Sequence, residues 1–178
     1  MIIKAEMIEQ PISGQYKEKI YNISSTWNSQ NWTWIKFVNH DLTEWCGHFR
    51  GLPKNAVISK KYKCALILTS DYLLKLDCFT GEIIEYESQP QYQSLTVTPF
   101  GDFLVADYYN IYIIQSSLED KKEIKISIKI DMIKFGAWKN NLFSIYCDEF
   151  LNWDNHMELE LNSETFEITI KNSNKYYK

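Results

Sequence analysis

The stretch from Asn55 to Glu87, NAVISKKYKCALILTSDYLLKLDCFTGEIIEYE, holds four short strand patterns separated by three turn signals. Residues 56–59, 64–69, 73–77 and 82–86 are rich in β-branched, aromatic and other apolar side chains, which suit a pleated and largely buried surface. Lys60-Lys61-Tyr62-Lys63, Ser70-Asp71 and Phe79-Thr80-Gly81 supply the turns between them. Connections this short join only neighbouring antiparallel strands, so the stretch is expected to form one four-stranded meander.

The pattern recurs. Residues 95–98, 103–106, 110–114 and 124–130 repeat the four strands, and residues 133–138, 142–147, 150–154 and 158–161 repeat them again, with 166–170 left over. First strands begin at Ala56, Leu95 and Ile133, a spacing of 39 and then 38 residues. Such a period is near the ~40–45 residues of four-stranded repeat units. Asp71 and Asp77 stand six residues apart, as do Asp148 and Asp154, and Asp107 precedes Ile113-Ile114 in the middle copy. Ahead of the repeats, residues 2–8 and 19–24 read as strands of mixed polarity. Residues 26–50 carry Trp27, Trp32, Trp34 and Trp45. In that segment Trp32, Trp34 and Lys36 fall on one face of a period-2 pattern and Ile35 and Phe37 on the other, with Asn39-His40-Asp41 as the turn of a hairpin.

The run Leu73-Leu74-Lys75-Leu76-Asp77 followed by Thr80-Gly81-Glu82 is similar to the strand and turn signature of quinoprotein-type and WD-repeat propeller blades. It departs from WD repeats in lacking their Gly-His and in having Trp-Asp only once, at Trp153-Asp154. Three repeats and a hairpin are also too few for a closed ring of about four to eight blades. The expectation is therefore an all-β chain, an open, partial β-propeller-like array of antiparallel sheets. It comprises about three blades, residues 54–90, 91–131 and 132–172, after N-terminal strands and a Trp-rich hairpin in 1–53, all in a single β domain. Residues 44–87 also resemble small bacterial immunity proteins that accompany polymorphic or contact-dependent growth inhibition toxins. That resemblance implies a non-enzymatic, cytoplasmic inhibitor whose partner is a cognate toxin, often a nuclease.

Chemistry-bearing motifs are sparse. His40, His48 and His156 sit in no recognisable nucleophile arrangement, and no GxGxxG or GxxxxGK loop is present, so no cofactor is expected. Cys46, Cys64, Cys78 and Cys147 contain no CxxC pair and read as free thiols. The alternation Asp154, His156, Glu158 could place three metal ligands on one strand face, but a solvent-facing polar strand explains it equally, and no metal is expected. Net charge is −4 and Arg50 is the only arginine among nineteen basic residues. That balance speaks against a nucleic-acid partner and for a basic one. The opening MIIKAEMIEQ has no long apolar run and no window approaches a membrane span, so neither export nor a membrane is expected.

In a four-stranded blade, turns between second and third strands share a face with the connections between blades. Sorted this way, Asp71, Tyr72, Glu87, Tyr92, Asp107, Tyr108, Tyr109, Asp131, Asp148 and Glu149 gather on one face. Lys60, Lys61, Lys63, Lys121, Lys122 and Lys139 gather on the other, diluted by Glu119 and Asp120. An acidic, Tyr-rich face suits capture of a basic protein, because opposed potentials speed encounter and Tyr supplies contact area with few torsions to freeze. These ten are the expected partner-binding residues. Asp is also favoured in turns for its local hydrogen bonds, and the Tyr residues could pack between blades, so both explanations stand at this point. The chain is expected to be a monomer. The alternative is a non-catalytic scaffold that self-associates through an open edge.

Overall fold

In the computed structural model, which describes residues 1–174, the chain is all-β, with sixteen strands in four four-stranded sheets. It divides into two compact units, Met1–Pro90 and Gln91–Lys178, each with two sheets. The division falls at an expected blade junction.

In the first unit, β1 (Ile2–Ile8), β2 (Lys17–Tyr21), β3 (Trp32–Asn39) and β4 (Glu44–Arg50) form a sheet of order β1-β3-β4-β2. The Trp-rich hairpin is thus the centre of a complete sheet, with the two mixed-polarity segments added on opposite edges. The expected all-antiparallel pattern fails at one place, since β2 pairs with β4 in parallel, Lys17 opposite Trp45 and Tyr21 opposite Phe49. β5 (Pro53–Ser59), β6 (Cys64–Thr69), β7 (Tyr72–Asp77) and β8 (Ile83–Ser88) form the meander expected of residues 55–87. Period-2 alternation sends Thr33, Ile35 and Phe37 inward from β3, where Ile35 and Phe37 meet Phe49, Ile67, Leu74 and Leu76. Each such buried side chain contributes ~1.5–3 kcal/mol.

The second unit pairs two meanders. β9 (Ser94–Val97), β10 (Phe103–Ala106), β11 (Ile111–Ile114) and β12 (Lys122–Glu123) make one. β13 (Ile130–Lys139), β14 (Leu142–Glu149), β15 (Asn152–Asn162) and β16 (Ile168–Asn174) make the other. Leu104, Ala106, Ile111, Ile133, Phe143, Ile145, Leu159 and Leu161 form their shared core. Two expectations are corrected here. Residues 124–130 are largely not a strand: Lys122–Glu123 pair with β11 and the buried Ile124 donates its N–H to the Ile111 carbonyl at 2.8 Å, while Ile126 and Ile128 are half-buried against the core without a ladder partner. The separate strands expected at 150–154 and 158–161 are one continuous β15, and the left-over segment is the fourth strand.

All four cysteines are buried and free. Burial pushes the Cys64 thiol up to about 11 and those of Cys78 and Cys147 up to about 12. The native protein should therefore leave these thiols unmodified by iodoacetamide at pH 8, whereas urea-unfolded protein should react at all four. A thiol whose folded value is raised favours the fold fully below its unfolded value, and that contribution is lost as pH climbs through the folded one. Stability should fall from about pH 9 upward, by up to ~1.4 kcal/mol per thiol and pH unit. A urea midpoint flat between pH 8 and 11 would contradict this.

Candidate functional site

At one end of the second unit, three connections meet. The β10–β11 turn carries Asp107, Tyr108 and Tyr109, the β14–β15 turn carries Phe150 and Leu151, and the entry to β13 carries Asp131 and Met132. Backbone hydrogen bonds hold them together. Ile133 donates to the Tyr108 carbonyl at 3.3 Å and Phe150 donates to the Lys129 carbonyl at 3.1 Å. The Tyr109 ring lies edge-on to Phe150 with centroids 6.2 Å apart, and edge-on to Tyr108 at 6.4 Å.

These rings are outside the core. Tyr109 is 51% exposed, Trp153 71% and Leu151 79%, with Tyr108, Met132 and Phe150 also exposed. Carboxylates border them. Asp131 lies directly across from Asp148 in the β13–β14 ladder, and Asp148 from His156 in the β14–β15 ladder. The Asp148 Oδ1 is 2.6 Å from the His156 Nδ1. The Glu149 carboxylate accepts from the Asn152 and Asn155 side-chain amides at 2.6 and 2.9 Å, which ties the turn to the first residues of β15. A cleft of about 410 Å³ opens beside this cluster, lined among others by Met132, Lys134, Tyr146, Asp148, His156 and Glu158. Cys147 precedes Asp148 but is buried in the core. Among the described residues, no group of three or more His, Cys, Asp or Glu side chains is arranged to hold a metal ion.

Six of the ten expected residues, Asp107, Tyr108, Tyr109, Asp131, Asp148 and Glu149, are therefore brought together at this end. Several of the acids also have local duties. The Asp107 Oδ1 accepts from the Tyr109 and Asn110 backbone N–H groups at 2.7 Å each, and Asp131 accepts from Met132 N–H at 2.6 Å.

The other four lie elsewhere. Asp71 is 4% exposed, and its carboxylate accepts from Ser29 N–H and the Ser70 hydroxyl, both at 2.7 Å. Tyr72 is buried, its hydroxyl donating to the Asn28 side-chain oxygen. Tyr92 is buried too, and its hydroxyl accepts from Lys121 Nζ at 2.6 Å. That bond joins two residues sorted to opposite faces. Glu87 is half-buried in edge strand β8, across from Leu73.

Phe150, Leu151, Trp153 and Met132 were not expected at the site. Their signal lay in the tip Glu149-Phe150-Leu151-Asn152, where large apolar residues stand in place of the Asn-Gly or Asp-Gly that a hairpin tip favours. Trp32 and Trp34 of the first unit offer no open stacking platform. The Arg50 guanidinium covers the Trp32 ring 3.8 Å from its centroid, and Trp34 lies edge-on to His48, whose Nε2 is 3.4 Å from Glu18 Oε2.

No family model matches the sequence, and no curated protein matches it. Among solved structures, the chain is similar to the N-terminal domain of Nup159, at 12% identity and a TM-score of 0.48, over 70% of this chain and 35% of that one. It is also similar to a protein of unknown function from Bacteroides caccae, at 14% identity and a TM-score of 0.42, over 92% of this chain and 63% of that one. The chain thus spans about a third of the length of the first and under two thirds of the second.

Proposed function

We propose that this chain is a protein-binding module that works as an immunity protein, capturing a basic toxin domain through the turn end of its second unit. The observation that carries the proposal is the exposed cluster of Tyr108, Tyr109, Phe150, Leu151 and Trp153 bordered by Asp131, Asp148 and Glu149. Large aromatic rings surrounded by charge are the composition of binding hot spots, where a few desolvated side chains supply most of the affinity. The carboxylates would draw in a positively charged groove and set its orientation, and the rings would hold it. Inhibition is then steric and electrostatic, with no bond made or broken by this chain. A nuclease fits as the target class, because a groove that binds phosphate must be basic.

Co-expression tests this directly. The chain should protect cells from the toxin domain encoded beside it and should co-purify with it as a one-to-one complex. Absence of both protection and complex would remove the proposal.

A further inference from the structure

The ten residues between β2 and β3, 22–31, form no strand and no helix. They join two strands separated only by β4, and both of their ends lie at the same end of that strand, Tyr21 beside Phe49 and Trp32 beside Arg50. Two strand spacings are roughly 10 Å, which ten residues could cover about three times over. The loop is therefore far longer than the connection requires.

It is nevertheless held in place along its whole length. The buried Asp71 carboxylate receives Ser29 N–H at 2.7 Å, and Tyr72, also buried, places its hydroxyl on the Asn28 side-chain oxygen. Asn28 in turn donates from its side-chain nitrogen to the Ile23 carbonyl at 2.6 Å. Arg50 donates to the Asn22 side chain and the Ser29 carbonyl, each at 3.4 Å, and Gln89 donates to the Trp27 carbonyl at 3.3 Å. Placing a carboxylate in the interior costs free energy that its hydrogen bonds must offset. Here one of the two comes from its own turn, at Ser70, and the other from a loop that adds no large side chain to the core at its tip. What the tip carries is Trp27, 77% exposed. Tyr86, edge-on to Tyr72 at 6.2 Å, adds a second exposed ring on this flank.

We infer that residues 22–31 form a preorganised presenting loop whose Trp27 inserts into an apolar recess of the protein partner, with Asp71 and Tyr72 as positioning residues. This rests on the partner-binding reading above and extends it to the first unit. The occupant is a second polypeptide with an apolar pocket, because a large exposed indole held on a fixed loop is the kind of anchor that protein interfaces bury in a pocket. Fixing the loop before encounter removes the ordering cost from binding, which is how a rigid anchor raises affinity. Asp71, expected as a contact, instead acts at one remove.

The test uses the full chain and an inactive variant of the toxin domain encoded beside it, with affinity measured by calorimetry. Trp27→Ala should weaken binding ~30-fold or more, the range of a hot-spot aromatic, with an unchanged thermal midpoint. Asp71→Ala should weaken binding too, yet add little in the Trp27→Ala background, because a positioning residue has nothing left to position; independent structural damage would add in full. Tyr72→Phe keeps the ring and removes only the hydroxyl, so it serves should Asp71→Ala fail to fold, and it should show the same non-additivity. If the wild-type chain forms no complex, this inference and the function proposed above fall together. Should the wild type bind and Trp27→Ala bind within threefold of it, the inference is overturned while the function stands. If Trp27→Ala instead dissolves a self-complex of the free chain, the occupant is a second copy and the inference is likewise overturned.

Discussion

Replacing Tyr109, Phe150 and Trp153 together by alanine is expected to lower affinity for the protein partner ~100-fold or more, since hot-spot truncations each cost ~2 kcal/mol and 1.4 kcal/mol is tenfold. The fold should lose far less. Trp153 is 71% exposed, so its removal takes little from the core. The ring contacts of Tyr109 with Phe150 and Tyr108 are the internal contacts removed, worth about 1 kcal/mol each and a few degrees in thermal midpoint. The carboxylates are separable from the rings by kinetics. Asp131→Asn and Asp148→Asn keep the side-chain shape and remove charge, so they should slow association and flatten its dependence on salt, with a smaller change in dissociation. Stopped-flow association at several salt concentrations reads the charge term, and calorimetry reads the rings. An alanine triple variant that stays folded and binds within threefold of the wild type would place the interface elsewhere.

The second sheet was legible almost strand for strand because its signals are local. β6 and β7 are buried on both faces and apolar but for Thr69, Lys75 and Asp77, and Lys60 to Lys63, Ser70-Asp71 and Phe79 to Gly81 are the polar or Gly-bearing turns before, between and after them. The segments that misled each depend on something distant. β2 reads poorly since it is an edge strand with Ile20 outward, and its parallel pairing to β4 reaches across some 28 residues. Asp154-Asn155 looks like a turn, yet Asn155 is buried mid-strand with its amide on Glu149, so β15 runs on through it. Ile124, Ile126 and Ile128 alternate as a strand would, but after the Ile124 N–H bond to the Ile111 carbonyl the ladder stops, and Ile126 and Ile128 follow the pattern by packing alone.

The site was half legible for the same reason. Counting strands places second-to-third turns at one end of a blade, and that is enough to bring Asp107 to Tyr109 near Asp148 and Glu149. Counting cannot tell which turn residues face solvent. Asp71 occupies the equivalent turn in its own sheet, but its carboxylate is taken by Ser29, 42 positions away. The exposed rings at Phe150 and Trp153 read as strand interior in a linear scan because aromatic residues usually are.

Gly51→Ala is expected to be the most damaging conservative change in the first unit, costing ~3–5 kcal/mol where a chain of this class has ~5–15 in all. Gly51 joins the two sheets of that unit, between the end of β4 and the start of β5. Its φ of +104° lies where side chains other than hydrogen are strained. A Cβ there would come within 2.7 Å of the Asp71 backbone nitrogen and 2.8 Å of Thr69 Oγ1. Neither can withdraw freely. Asp71 N–H and Tyr72 N–H both donate to Thr69 Oγ1, which itself donates to the Arg50 carbonyl at 2.7 Å. Thr33, buried in β3, holds the Gly51 carbonyl at 2.7 Å, and Gly51 N–H holds the Asn31 carbonyl at 3.0 Å. Strain at this one joint therefore reaches the β6–β7 turn and the Trp27 loop together. At ~2–4 °C per kcal/mol for chains of this size, the thermal midpoint should drop by about 6–20 °C. Hydrogen exchange should show protection lost first at residues 69–72 and 27–31, ahead of the core strands. A midpoint within 2 °C of the wild type would mean that the joint relaxes around a methyl group, and that Asp71 and the loop it holds are less tightly fixed than their hydrogen bonds imply.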